Sequence, residues 1–188
     1  MADHGGLQGP VHTASGAAFD AAGRYRYLLW RRWDSSLPAV TFVMLNPSTA
    51  TAETDDPTIR RCSAFARSWG CGGIEVVNLF AFKTSNPDIL RSAPDPEGPL
   101  NRHMVSEALD RGAAIIVAWG NLGRLEEASG AVRRRMESIY PLLCLGHNRS
   151  GAPRHPLYLP RTTTPVPYRP RNGINTPFPS LSPCQTTP

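Results

Sequence analysis

Residues 39–48, Ala39-Val40-Thr41-Phe42-Val43-Met44-Leu45-Asn46-Pro47-Ser48, decide how this chain folds. The apolar run from Val40 to Leu45 suits a buried strand and is too short for a helix that packs alone. Pro47 has no backbone N–H and biases the residue before it away from the helical region, so the strand stops and leaves Asn46 at its carboxyl end. Ligands of open α/β sheets bind at such ends. The planar amide of Asn46 offers two donors and an acceptor, which suits holding a water or reading the edge of a planar ring.

Working outward, residues 11–19 and 24–33 read as an antiparallel hairpin around the turn Asp20-Ala21-Ala22-Gly23, with an imperfect alternation rich in aromatics. Downstream of Ser48, Pro57 marks a helix start with Asp55 or Asp56 as its cap. Ile59, Cys62, Phe65, Ala66 and Trp69 share one face of that helix, and Gly70 ends it. A strand is expected over 74–82, then a Pro-rich connection over 86–99, a helix over 100–111, a strand over 113–119, a helix over 122–139 and a strand over 141–145. This alternation argues for an α/β fold of three layers, a mostly parallel sheet covered by helices, with the N-terminal hairpin added at one edge. The organisation expected is a flexible N-terminus over 1–10, a single domain over 11–165 and a Pro-rich extended tail over 166–188.

A chain of 188 residues with 40% hydrophobic content can bury one core. It has no stretch of eighteen apolar residues and no N-terminal signal pattern, so a soluble, cytoplasmic monomer with no membrane partner is expected. Cys62, Cys71, Cys144 and Cys184 form no CxxC pair. Buried reduced thiols are therefore expected in place of disulfides, zinc or iron–sulfur ligation, and neither metal nor cofactor is implied. The net charge of +5 rests almost wholly on arginine, Lys83 being the sole lysine, and arginine suits phosphate recognition. Gly70-Cys71-Gly72-Gly73 precedes a strand, so it reads as a helix cap and turn more than as a phosphate loop. Arg133-Arg134-Arg135 reads as a solvated helix face, and Cys62 and Trp119 as core.

The motifs MLNPSTA, TDDPTIRR, VVNLFA and RHPLYL resemble those of a family of small bacterial and phage proteins of unknown function. More distantly, VMLNPS, VVNLFAFKTSNP, IIVAWG and RHPLYLP, spanning residues 39–160, are similar to the motif order of the uracil-DNA glycosylase superfamily. That resemblance implies a glycosylase-like α/β architecture and hydrolysis of an N-glycosidic bond to a base in nucleic acid, DNA foremost, or in a nucleotide, as in base excision and DNA repair. It implies that Asn46 holds the attacking water, that Asn78 pairs with the Watson–Crick edge of a flipped base, and that His155 donates to the ring oxygen gaining charge. Phe80 or Phe82 would stack on the base, Leu157 or Tyr158 would wedge into the vacated space, and Ser48, Thr49, Arg154 and Arg161 would contact phosphates.

Two other readings stay open. Asp55 and Asp56 form an acidic pair suited to Mg²⁺ or to nucleophile and acid roles in a nucleotide or nucleoside hydrolase. Their alternative is structural, one capping the helix and Arg60 and Arg61 serving as ion-pair partners. The third reading is a non-catalytic module of the same fold that binds nucleic acid or protein.

Overall fold

The structure, a computed structural model, describes residues 13–121, 125–169 and 184. Seven strands form one mixed sheet: β1 (Ala14–Phe19), β2 (Arg26–Arg32), β3 (Ala39–Met44), β4 (Gly73–Asn78), β5 (Ile115–Val117), β6 (Leu142–Cys144) and β7 (Val166–Pro167). They lie in the order β1-β2-β4-β3-β5-β6-β7. The inner strands β4, β3, β5 and β6 are parallel, whereas β1, β2 and β7 join antiparallel at the edges. The expected hairpin thus extends the parallel sheet, as β2 pairs with β4.

Helix α1 (Pro57–Ser68) covers one face, where Ile59, Cys62, Phe65 and Ala66 pack on Val40, Phe42, Ile74 and Val76. Helices α2 (Pro87–Ser92), α3 (Asn101–Arg111) and α4 (Glu126–Ile139) supply the core of the other face, with Leu90, Val105, Leu109, Val132 and Met136 against Val43, Val77 and Val117. Buried side chains thus alternate along β3 between the two layers, the signature of a strand covered on both faces. Among the described residues no helix is long and apolar enough to cross a membrane.

The chain leaves β3 for β4 on one side, then returns across β3 to β5 on the other. The sheet therefore changes winding direction between β3 and β5, and the crevice outside their carboxyl ends is where such folds bind ligands.

Four expectations are corrected. The Pro-rich connection contains α2, because Asn86 accepts from the Asp88 N–H at 2.8 Å and Pro87 takes the first helical position, where its missing N–H costs nothing. The segment expected as a tail contributes β7, and Tyr168 packs edge-on to Trp119 in the core. Cys184 and Cys71 are joined in a disulfide across 113 residues, leaving only Cys62 and Cys144 as free thiols, both buried. No local spacing announces a pairing so remote. Finally, the regular strand expected to reach residue 82 ends at Asn78, although the buried Leu79 and Phe80 still donate their N–H groups to Met44 O and Leu45 O at 3.0 Å.

β2 carries one irregularity that matters for the site. Ala18 faces Leu28 but Phe19 faces Arg26, so β2 has one residue extra relative to β1 at Tyr27. Such a bulge shifts the alternation by one. Arg26 and Arg31, five apart and expected on opposite faces, both reach the loop before α1. Arg26 Nη1 donates to the Ala50 carbonyl at 2.9 Å, and Arg31 Nη2 to that of Thr51 at 2.7 Å.

Candidate active site at the carboxyl ends of β3, β4 and β5

A cavity of about 220 Å³ lies in the crevice at the switch point, and Asn46, Asn78 and His155 all line it. Asn46 follows β3, Asn78 ends β4 and His155 follows β6. The loop that carries His155 is folded back over β5, with the Gly120 N–H donating to Pro153 O at 3.1 Å and the Arg154 N–H to Gly146 O at 2.9 Å. Gly120 has φ +74, a conformation open to glycine at little cost, and this lets the chain turn sharply at the end of β5.

Asn78 is 1% exposed, and neither its Nδ2 nor its Oδ1 has a hydrogen-bond partner among the described residues. Leaving either buried atom unpaired costs about 1–3 kcal/mol, so an orphaned amide lining a cavity marks a place prepared for something else. Its backbone is held from behind. Asn101 Nδ2, at the start of α3 and fully buried, donates to the carbonyls of Asn78 and Leu79 at 3.0 and 3.1 Å. Asn101 therefore positions the end of β4.

The Asn46 amide is half-committed. Nδ2 donates to Thr84 O at 2.7 Å and Pro47 O at 3.0 Å, with a longer contact of 3.4 Å to Phe82 O. The donor end ties the β4–α2 loop to β3, and Oδ1, which takes no hydrogen bond among the described residues, is the end left for a ligand or water. Asn46→Asp is consequently expected to destabilise the fold by about 1–3 kcal/mol, since an acceptor-only carboxylate would face three carbonyl oxygens. Urea denaturation checks this; a substituted protein as stable as the parent would mean that the loop is not held through Nδ2.

His155 Nδ1 accepts from the Leu157 N–H at 3.3 Å, which assigns the proton of the neutral ring to Nε2 and makes Nε2 a donor. Burial lowers the His155 pKa below its ordinary 6.5, opposed in part by the negative charge of Asp56. With the folded value below the unfolded one, the unfolded chain binds more protons between the two. His155 then contributes full stability above about pH 6.5, and this is lost as the pH falls through the lowered value. Titration of the imidazole by NMR is expected to give a midpoint below that of a denatured control, and a midpoint at or above it would rule out the half-buried neutral ring.

The acidic pair is split. Asp56 is the helix cap, accepting the Ile59 N–H at 2.9 Å, and lines the cavity. Asp55 turns away to Arg31 Nε at 2.7 Å, so the expected partnership of both carboxylates with Arg60 and Arg61 is corrected. Arg60 donates instead to the Asp55 backbone carbonyl, and Arg61 lies over the Phe65 ring. The reason is that Arg31, on the same face of β2 as Leu29, brings a fully buried guanidinium to Asp55 ahead of the exposed Arg60 and half-buried Arg61.

The aromatic wall also differs from expectation. Phe80 is 1% exposed in the opposite core layer, and Phe82 stands edge-on to Tyr25; neither lines the cavity. Trp119 does. Ser48 lines the cavity, and Thr49 is exposed beside it in sequence. Arg154 and Arg161 are exposed and form no ion pair among the described residues, as is true of Arg149. Leu157 is half-buried, whereas Tyr158 is 97% exposed at φ 67, a left-handed conformation uncommon for a bulky residue.

Sequence reasoning missed Arg26 and Asn101. Arg26 is 2% exposed, lines the cavity and keeps a buried Nε without a partner. A larger cavity, about 320 Å³, lies between α3 and α4 over Val105, Leu109 and Met136. It contains none of the expected residues, and none of its lining residues has a buried unpaired polar side-chain atom. The smaller cavity is the better candidate for chemistry.

No curated protein and no solved structure matches the chain. A family model does, over residues 26–157, a span that opens on Arg26, closes two residues after His155 and so contains every residue of the cavity. The chain belongs to the family described as Protein of unknown function (DUF1643).

Proposed function

We propose that the protein binds a planar heterocyclic base at the carboxyl ends of β3, β4 and β5 and hydrolyses its N-glycosidic bond, as the motif resemblance to uracil-DNA glycosylases implies. The observation that carries this reading is the Asn78 amide, buried with both ends unpaired in a residue that lines the cavity. A carboxamide pairs naturally with an adjacent donor and acceptor on a ring edge. The cavity, at about 220 Å³, is smaller than the roughly 300–1,000 Å³ that drug-sized ligands occupy. It suits one ring and leaves sugar and phosphate outside.

In the reaction, a water oxygen bonds to the anomeric carbon while the carbon–nitrogen bond breaks and its electron pair leaves with the base. The neutral Nε2–H of His155 donates to the ring oxygen that gains this charge. Asn46 Oδ1 accepts from the water, and the Asp56 carboxylate offsets positive charge on the sugar and takes up the water's proton. Trp119 forms the wall on which the ring lies, a place first expected to belong to Phe80 or Phe82. Arg149, Arg154 and Arg161 offer cationic contacts to a polynucleotide backbone, and Tyr158 offers an exposed aromatic to a neighbouring base.

Single-stranded oligonucleotides carrying uracil, hypoxanthine, xanthine or a carboxylated pyrimidine, together with the matching nucleosides and nucleotides, test the reading. Free base resolved by chromatography is the expected product, in an amount that falls sharply in Asn46→Ala. Asn46→Ala is expected to lower the chemical rate more than ligand binding, because its water is needed only in the transition state. Absence of base release from every substrate would remove the catalytic reading; retained binding of oligonucleotide or base would then favour the non-catalytic module.

A further inference from the structure

Arg26 is the charged cavity residue that this reaction does not use. Its side chain is buried, yet of the five N–H groups of a guanidinium only Nη1 has a partner, the Ala50 carbonyl. Nε is buried and unpaired, and Nη2 makes neither hydrogen bond nor ion pair among the described residues. A buried cation so short of acceptors is far costlier than a neutral orphan. Asp56 lines the same cavity and its charge favours the guanidinium, but it lies beyond ion-pair distance and has one oxygen on the Ile59 N–H. Burial lowers the Arg26 pKa to about 10, which leaves the group cationic at neutral pH.

Its place in the sheet says which part of a ligand it meets. Across the strand order β2-β4-β3-β5, the strand of Arg26 adjoins that of Asn78, with that of Asn46 next and that of Trp119 beyond; Arg26 itself pairs through its N–H with Ala81 O, just past the end of β4, and shares the cavity lining with Asn78. At about 4.8 Å per strand, Arg26 is one spacing from the strand of Asn78 and roughly 14 Å from that of Trp119. A ring edge that meets Asn78 is therefore the edge nearest Arg26, whereas a backbone phosphate stays outside a cavity sized for one ring.

Resting on the reading of the cavity as a base site, we propose that Arg26 is a specificity residue for negative charge, and that the preferred ligand is a heterocycle bearing a carboxylate on the edge read by Asn78. A carboxylate accepts two parallel N–H groups from a guanidinium, which satisfies donors that the fold leaves unpaired. A neutral ring leaves them unpaired.

Calorimetric titration of the full chain with uracil, 5-carboxyuracil, 6-carboxyuracil and inorganic phosphate tests this. One of the carboxyuracils is expected to bind at least ten-fold more tightly than uracil, with the advantage lost in R26Q and only partly kept in R26K, which retains the charge without the fork. Uracil binding as tightly as both acids would overturn the proposal, and so would inorganic phosphate competing as well as either. If R26Q does not fold by circular dichroism, the comparison of ligands on the unaltered protein decides alone. Failure of every ring to bind would instead bring down the base-site reading itself, whereas equal binding of neutral and acidic rings brings down only the role of Arg26.

Discussion

Asp55→Ala lowers the stability of the folded chain by about 3 kcal/mol, the cost of stranding a buried charge. The Arg31 side chain is wholly inaccessible and that of Asp55 is 11% exposed, with Nε and Oδ1 at 2.7 Å. Arg31 also donates to the carbonyls of Trp30 at 2.8 Å and Thr51 at 2.7 Å, so it is fixed before Asp55 arrives and cannot swing to solvent when the carboxylate is removed. An exposed ion pair of the same length contributes about 1 kcal/mol or less and weakens in salt. Urea denaturation in low salt and in 1 M NaCl separates the two cases. A loss near 3 kcal/mol that survives high salt is the expected result, and a loss below 1 kcal/mol would show that the pair behaves as a surface contact.

The same interaction explains how the site is assembled. Arg26 and Arg31 hold Ala50, Thr51 and Asp55, and the loop they hold leads into the Asp56 cap of α1. Asp56 reaches the cavity because its neighbour Asp55 is tied down on the other side. A stability defect at Asp55 should therefore carry a defect at the site, through displacement of α1.

The parallel core of the sheet was legible because it rests on local signals: apolar runs of strand length, the first ending at Asn46, a Pro at the first position of α1, and a helical spacing from Ile59 to Ala66. Bringing Asn46 at a strand end, Asn78 in the next strand and His155 in the loop after the last parallel strand to one side of the sheet needed only the rule that parallel strands all point one way. What escaped the sequence was non-local. The pairing of Cys71 with Cys184 joins segments 113 residues apart. β7 is two residues of a Pro-rich stretch, recruited because β6 offered an open edge. The bulge at Tyr27 turned Arg26 inward, and an arginine in an aromatic strand carries no mark of which face it takes. Asn101 looked like any polar residue at a helix start, although its whole side chain is buried behind β4. Phe80 was placed by its nearness in sequence to Asn78, but a step of two along an irregular turn sent it into the other layer.

Asn78→Leu is expected to make the protein more stable and less able to bind its ligand. The amide is buried among Met44 and Val76, and both of its polar atoms are unpaired, so replacing it with an apolar side chain of similar size removes a desolvation cost of about 1–3 kcal/mol for each atom. Part of that gain is offset by imperfect packing of the branched side chain, leaving a net rise of roughly 1–2 kcal/mol. Ligand recognition moves the other way. A ring edge desolvated in the cavity without the carboxamide would lose two hydrogen bonds and bury its own polar groups unpaired, a loss of roughly 100-fold or more in affinity or in kcat/KM. Thermal denaturation and titration with uracil and the carboxyuracils on the same preparation measure both quantities. Opposite movement of the two is the mark of a residue kept for a ligand at the expense of the fold. Should Asn78→Leu lower stability while ligand binding stays unchanged, the amide serves the fold, and the cavity is not the place where this protein does its chemistry.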